Sequence, residues 1–170
     1  MQLKVNPELC TGCRMCEMEC SNAHEQLFGT AISRIRVSKL EQVGIDYPVV
    51  CQQCVNAPCV AACPEDALHR TPAGTIALDA SRCRQCGACV EACPFGAMNL
   101  HPKTGLPLSC DLCGGTPSCV AGCPTGALTY AEDSKLDRKR FQELADIARS
   151  KRDAYAERMT KKLAADWGEE

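Results

Sequence analysis

CVAACPEDAL begins at Cys59, CVEACPFGAM at Cys89 and CVAGCPTGAL at Cys119. The two intervals between these start points are 30 residues each, so one supersecondary unit has been copied with its register kept. A shorter relative, CTGCRMCEMEC, starts at Cys10. Worked outward from these copies, the cysteines fall into four sets with none left over: Cys10, Cys13, Cys16, Cys20; Cys51, Cys54, Cys59, Cys63; Cys83, Cys86, Cys89, Cys93; and Cys110, Cys113, Cys119, Cys123. The first and third sets follow C-x2-C-x2-C-x3-C, and the other two widen only the middle gap. Pro64, Pro94 and Pro124 follow the last cysteine of three sets, whereas Ser21 follows that of the first.

Sixteen cysteines in 170 residues is about 9%, a level at which composition alone signals covalent or metal cross-linking. The hydrophobic share is 45% with the cysteines counted and about 36% without them, and only three Phe, three Tyr and one Trp are present. Side chains alone are too few for a conventional interior, so another group has to fill the middle. The N-terminal MQLKVNPELCTGC has neither a charged n-region with an apolar h-region nor a twin arginine. The expectation is therefore a cytoplasmic chain, unless it travels with an exported partner. No window approaches 18 uninterrupted apolar residues, which argues against a membrane span. A formal net charge of −2 argues against nucleic-acid binding by bulk electrostatics.

In a reducing compartment the cysteines read as metal ligands before disulfides. The compact run with its terminal Cys-Pro resembles that of bacterial ferredoxins, which ligates 4Fe-4S clusters. The chemistry accounts for the spacing: three thiolates at short intervals let a tight loop wrap three iron corners of one cube. Gly12, Gly87 and the Gly114-Gly115 pair offer backbone freedom where the chain approaches inorganic sulfide. The fourth cysteine, about one turn further along a short helix, points away from its own loop towards a neighbouring cluster, and the proline then stops that helix. Zinc also takes C-x2-C pairs, but as two knuckles with a spacer between them, and a compact triple run has no natural use there. With no cysteine lost to Asp or Trp, four 4Fe-4S clusters are expected and no 3Fe-4S cluster. His24, His69 and His101 stand outside the ladder in polar contexts and read as surface residues.

CQQCVNAPCVAACPEDAL and CDLCGGTPSCVAGCPTGAL, flanked by CTGCRMCEMEC and CRQCGACVEACPFGAM, resemble the four-cluster iron–sulfur subunits of the dimethyl-sulfoxide reductase and formate dehydrogenase family. In compact size the chain is most similar to the small iron–sulfur subunit of tungsten-containing aldehyde oxidoreductase. The resemblance covers about residues 1–130. It implies an α+β fold of two interleaved 2[4Fe-4S] ferredoxin-like halves, in which paired sets exchange their fourth cysteines. One cluster would take Cys10, Cys13, Cys16 and Cys123, and its mate Cys110, Cys113, Cys119 and Cys20. The inner pair would take Cys51, Cys54, Cys59 with Cys93, and Cys83, Cys86, Cys89 with Cys63. Interleaving of this kind makes residues 1–133 one polyferredoxin domain.

Two further segments carry readings. Arg34, Ile35, Arg36 and Val37 alternate, then Gly44 marks a turn before Tyr47 to Val50, a β-hairpin pattern. The hairpin is expected to cover the inner cluster pair, or to turn Arg34 and Arg36 towards an acidic partner. Residues 134–170 hold no cysteine. Ser134 and Asp137 form a capping box, and no Pro or Gly intervenes before Gly168, so one helix of about 33 residues is expected. Its apolar stripe of Phe141, Leu144, Ile147, Ala148, Tyr155, Met159, Leu163 and Trp167 suits docking on another subunit or a second copy.

The chain shows no nucleophile–base pair and no phosphate loop, so a non-catalytic role is expected. The resemblance implies single-electron relay between a catalytic subunit, of tungsten or molybdenum pterin type, and an acceptor such as a flavin- or NAD-linked subunit. The alternatives are a hydrogenase, carbon monoxide dehydrogenase or formate dehydrogenase subunit, or a freely diffusing polyferredoxin. Within the loops, Arg14 and Arg84 should favour the reduced, more negative clusters and Asp111 should oppose it, which makes the Cys110 cluster the expected lowest in potential.

Overall fold

The computed structural model describes residues 2–40 and 44–131. The three copies of the repeat fold alike. Short helices α2 (Pro58–Ala61), α3 (Ala88–Glu91) and α4 (Ser118–Ala121) each carry the third cysteine of a set. The fourth cysteine lies just past the helix instead of on it, its N–H reaching back to Val60, Val90 or Val120. The Cys-Pro dipeptide bars continuation, because a residue before proline is pushed out of the helical region. In the first set Ser21 stands in place of proline and the helix continues. α1 (Met15–Glu25) therefore holds both Cys16 and Cys20, one turn apart, and closes at Gln26 in the left-handed region.

After each Cys-Pro a left-handed residue, Asp66, Gly96 or Gly126, turns the chain into a strand. β4 (Leu68–Arg70) pairs with β5 (Ile76–Leu78), and β6 (Asn99–Leu100) with β7 (Pro107–Leu108). The strand of the last repeat, β8 (Leu128–Ala131), pairs antiparallel with β1 (Gln2–Val5), in the register Leu3 to Tyr130 and Val5 to Leu128. That ladder ties the last repeat to the first strand. α1 packs on α4, and α2 on α3. Two small cores result. One joins Leu3, Ile35, Val37, Val50, Leu112 and Leu128 to Cys16, Cys20 and Cys119. The other joins Ala57, Leu68, Ile76 and Met98 to Cys89. Cysteine is part of both interiors, as the shortage of aliphatic and aromatic residues requires.

The expected hairpin is present as β2 (Arg36–Leu40) and β3 (Ile45–Val49), with Arg36 opposite Val49. Its location corrects the sequence reading: Ile35, Val37 and Val50 pack with Cys16, Cys20 and Cys119, so it covers the outer half and not the inner pair. The sign of a side chain's burial is legible in alternation, but the surface it meets is not. Arg36 turns back on its own chain, donating from Nη2 to the Ala31 carbonyl at 2.9 Å. The result is a small mixed helix–strand ferredoxin-like fold. Among the described residues no helix is long and apolar enough to cross a membrane. The expected C-terminal helix lies outside the described residues.

Candidate cluster sites

Four cavities are lined by the cysteines. The first gathers Cys10, Cys13, Cys16 and Cys123. A second gathers Cys20, Cys110, Cys113 and Cys119, with Cys51 at its edge. Cys51, Cys54, Cys59 and Cys93 line the third, with Cys110 at its edge. The fourth holds Cys63, Cys83, Cys86 and Cys89. Each thus brings together three thiols of one loop and the final thiol of another set, the same groups that the resemblance implies. Apolar residues line much of the rest, Ile76, Ala97, Met98 and Leu108 in the third and Leu3, Ile35, Val50 and Leu112 in the second, where His24 and Arg34 also stand in the wall.

Neighbouring cavities adjoin. Cys16 of the first packs with Cys20 and Cys119 of the second in one core, the second and third share Cys51 and Cys110 in their linings, and Cys59 and Cys93 of the third pack with Cys63 and Cys89 of the fourth. The sites therefore form a succession, with the two exposed cysteines, Cys13 and Cys86, in the first and last cavities.

The loops share one backbone device. In all four C-x2-C pairs the residue before the second cysteine has positive φ: Gly12, Gln53, Gln85 and Leu112. This turns its N–H back onto the first thiol, so that Gly12 donates to Cys10, Gln53 to Cys51, Gln85 to Cys83 and Leu112 to Cys110. A non-glycine residue held there costs on the order of 1–3 kcal/mol, a strain persisting only where the surroundings fix it. The fourth cysteines have donors of their own. Cys63 Sγ accepts from Ala67 N–H at 3.3 Å and Cys93 Sγ from Ala97 N–H at 3.4 Å, four residues on in each case, and Ala127 does the same for Cys123. Donors converging on sulfur suit a thiolate, which accepts hydrogen bonds that a thiol accepts only weakly.

Burial pushes the Cys16 and Cys110 thiols up to about 12 and the Cys51 thiol up to about 11, with neighbouring thiols and Glu17 or Asp111 adding to the effect. Cys10, Cys59, Cys89 and Cys119 are raised for the same reason. At Cys63 and Cys123 burial also raises the value, but converging backbone N–H groups outweigh it and the net shift is downward. A buried set of this kind gives up its protons only to a cation that binds the thiolates, which couples loading to proton release.

The donor sets, four thiols to a cavity, fit 4Fe-4S clusters. Zinc bound tetrahedrally at about 2.3 Å holds its sulfurs within roughly 4 Å of each other. Among the described residues, the one trio of potential ligand atoms within 4.8 Å of each other is His24, Asp111 and Cys113, and no trio of cysteine sulfurs is that close. None of the sixteen cysteines is in a disulfide.

Three polar residues at the sites were not legible in the sequence as site residues. His24, read as a surface residue, is 13% exposed. Its Nδ1 lies 2.8 Å from the Cys20 carbonyl and its Nε2 3.0 Å from Asp111 Oδ1. Glu17 is 1% exposed and accepts from Val37 N–H at 2.7 Å. Gln53 is buried and donates from Nε2 to the Cys110 carbonyl at 2.8 Å, joining the two halves between the second and third cavities. His69 is exposed, in keeping with its reading. His101 caps its own turn, accepting at Nδ1 from the N–H groups of Lys103 and Thr104.

Fold and thiol geometry together define an iron–sulfur protein, and the comparisons agree. A family model described as a 4Fe-4S dicluster domain matches residues 44–133, and a 4Fe-4S binding domain matches residues 7–23. The chain belongs to the 4Fe-4S dicluster domain family. It is similar to the polyferredoxin-like subunit of aliphatic sulfonate oxidoreductase from Pyrococcus furiosus, 43% identical over 85 residues covering 49% of each chain. Formate hydrogenlyase subunit 2 of Escherichia coli is 37% identical over 78 residues, 46% of this chain and 37% of the relative. The thiosulfate reductase electron transfer subunit PhsB of Salmonella typhi is 35% identical over 83 residues, 45% and 43% of the two chains. The matches thus span about half or less of each of these relatives. A solved structure, the active site complex BamBC of benzoyl coenzyme A reductase with benzoyl-CoA, covers 93% of this chain and 95% of that chain, at 26% identity and a TM-score of 0.48.

Proposed function

We propose that this chain is a non-catalytic electron-transfer subunit holding four 4Fe-4S clusters in a line between a catalytic oxidoreductase subunit and an acceptor. The carrying observation is the succession of four thiol-lined cavities, the first and second joined by the packing of Cys16, Cys20 and Cys119, the second and third by the shared Cys51 and Cys110, and the third and fourth by the packing of Cys59, Cys63, Cys89 and Cys93. A cluster bound in such a site supplies one-electron oxidation and reduction.

The protein's part is to hold and insulate. Cys10, Cys13, Cys16 and Cys123 would bind the first cluster, and Cys20, Cys110, Cys113 and Cys119 the second. Cys51, Cys54, Cys59 and Cys93 would bind the third, and Cys63, Cys83, Cys86 and Cys89 the fourth. Left-handed loop residues aim N–H groups at the ligating sulfurs, which offsets the negative charge gathered there. Apolar residues line much of the second and third sites. Exposed Cys13 and Cys86 put the outer two within reach of partners at opposite ends of the line.

The relatives' printed names support an oxidoreductase complex as the setting. The resemblance drawn from the cysteine runs favours a catalytic partner of tungsten or molybdenum pterin type, with aldehyde oxidation as its chemistry. In this reading residues 1–133 form the cluster domain and residues 134–170 dock it to another subunit. Anaerobic purification of the tagged chain from its own cells tests the proposal. The expected result is a co-purified catalytic subunit whose substrate, an aldehyde in the preferred case, bleaches the visible absorbance of the clusters within turnover time. A monomer that no co-expressed oxidoreductase reduces contradicts it. Truncation after Asp133 should leave iron content intact and abolish the larger assembly in sizing. Loss of clusters from the truncated chain contradicts the docking role.

A further inference from the structure

The Cys20 thiol is supplied differently from its three counterparts. Cys63, Cys93 and Cys123 each accept from a neutral backbone amide four residues on, at Ala67, Ala97 and Ala127. α1 continues through that position after Cys20, so the amide there is committed to the helix. Its place is taken by Arg34, 14 residues on, whose N–H stands 3.3 Å from Cys20 Sγ. The substitute brings a side chain. Arg34 lines the second cavity, its side chain is 21% exposed, and its Nε and Nη1 are buried with no hydrogen-bond partner.

The arginines at the other sites are more exposed to water. Arg14 is 42% exposed and lies 3.8 Å from Glu17, and Arg84 is 74% exposed and lies 3.1 Å from Glu65. Asp111, which the sequence offers as the charge opposing reduction in the second cavity, is engaged elsewhere. It lies 3.0 Å from His24 Nε2, accepts from Cys113 N–H at 3.0 Å, and forms a long ion pair with Arg34 Nη1 at 3.8 Å, without a hydrogen bond. Of the three arginines that line a cavity, Arg34 is thus the least exposed, and its buried Nε and Nη1 make no hydrogen bond.

We infer that Arg34 is the potential-setting residue of the relay, a positioning residue that stabilises the added electron in the cluster of Cys20, Cys110, Cys113 and Cys119 and makes this cluster the first of the four to be reduced. The inference rests on the proposed four-cluster reading and reverses the order that Asp111 alone implies. Lowered effective dielectric around a partly buried guanidinium strengthens its field, and an electron on the cluster adds one negative charge for it to act on.

An EPR-monitored redox titration of the intact protein tests it, with Cys113→Ser used to assign the second cluster's signal and iron and acid-labile sulfide counted in the same samples. In the unsubstituted protein the assigned signal should appear first as potential is lowered. Arg34→Gln should weaken its reduction about tenfold, a shift of about 59 mV for one electron, while the other three midpoints move far less. Arg34→Lys, which keeps the charge, should recover most of that shift. Four clusters with another one reduced first overturn the inference alone, as does an Arg34→Gln protein with all four midpoints unchanged or all lowered alike. The unsubstituted ranking decides the matter if Arg34→Gln fails to assemble. Absence of this cluster from the unsubstituted protein overturns both the inference and the four-cluster reading.

Discussion

Replacing Glu17 probes how the hairpin is fastened to the outer half. Glu17 stands in the first turn of α1, 1% exposed, and its Oε1 accepts from Val37 N–H at 2.7 Å, a short charge-assisted bond. The ion pair with Arg14, at 3.8 Å and 42% exposed on the arginine side, adds at most about 1 kcal/mol. The buried Val37 N–H matters more, because Glu17→Ala leaves it unsatisfied at a cost of roughly 1–3 kcal/mol. Relief of the carboxylate's own desolvation offsets part of the lost bond, so about 2 kcal/mol remains. Carried into the barrier for cluster release, this is roughly a 30-fold faster loss of visible absorbance in anaerobic guanidinium. The acceleration should be confined to one of two kinetic phases, that of the outer pair. Glu17→Gln keeps an acceptor oxygen and should recover at least half of the effect on a logarithmic scale. Loss at the unsubstituted rate in Glu17→Ala, or equal acceleration of both phases, would show that Glu17 does not fasten the hairpin.

The other predictions concern ligand exchange and close packing. Cys20→Ala should abolish the signal of the cluster bound by Cys110, Cys113 and Cys119 and leave the signal of the Cys10 loop in place. Spectroscopy showing only the Cys10 cluster altered would refute the exchange. Gly122 occupies the place of Ala62 and Ala92 in the other repeats, and a Cβ there would sit 2.3 Å from Glu19 Cγ. Gly122→Ala should therefore wedge α4 from α1 at a cost of roughly 1–3 kcal/mol. Pairing it with Glu19→Ala should restore most of the stability in a double-mutant cycle of cluster-loss rates, and simple additivity would count against it.

How much the sequence discloses depends on where each residue's partner lies. The cysteine sets were legible because ligand spacing is local and the repeat copies it. The longer α1 also had a local sign, Ser21 where the other sets have proline. The hairpin showed in its alternation, but its packing on the outer half involves Cys119, far along the chain. The polar residues of the sites were hidden for the same reason: Cys20 meets Arg34 across 14 positions, Glu17 meets Val37 across 20, and His24 meets Asp111 across 87. The left-handed residue of each C-x2-C loop was visible only as Gly12. At Gln53, Gln85 and Leu112 the demand of the thiol for an N–H donor overrides the residue's own preference, and no composition rule marks such a position.

Whether four cysteine quartets each hold one 4Fe-4S cluster is decided most directly by iron, acid-labile sulfide and zinc determined on anaerobically prepared protein, per chain measured by amino-acid analysis. About 16 iron and 16 sulfide per chain with no stoichiometric zinc are expected. Reproducible values near 12 or below, or zinc in place of iron, would contradict four complete clusters.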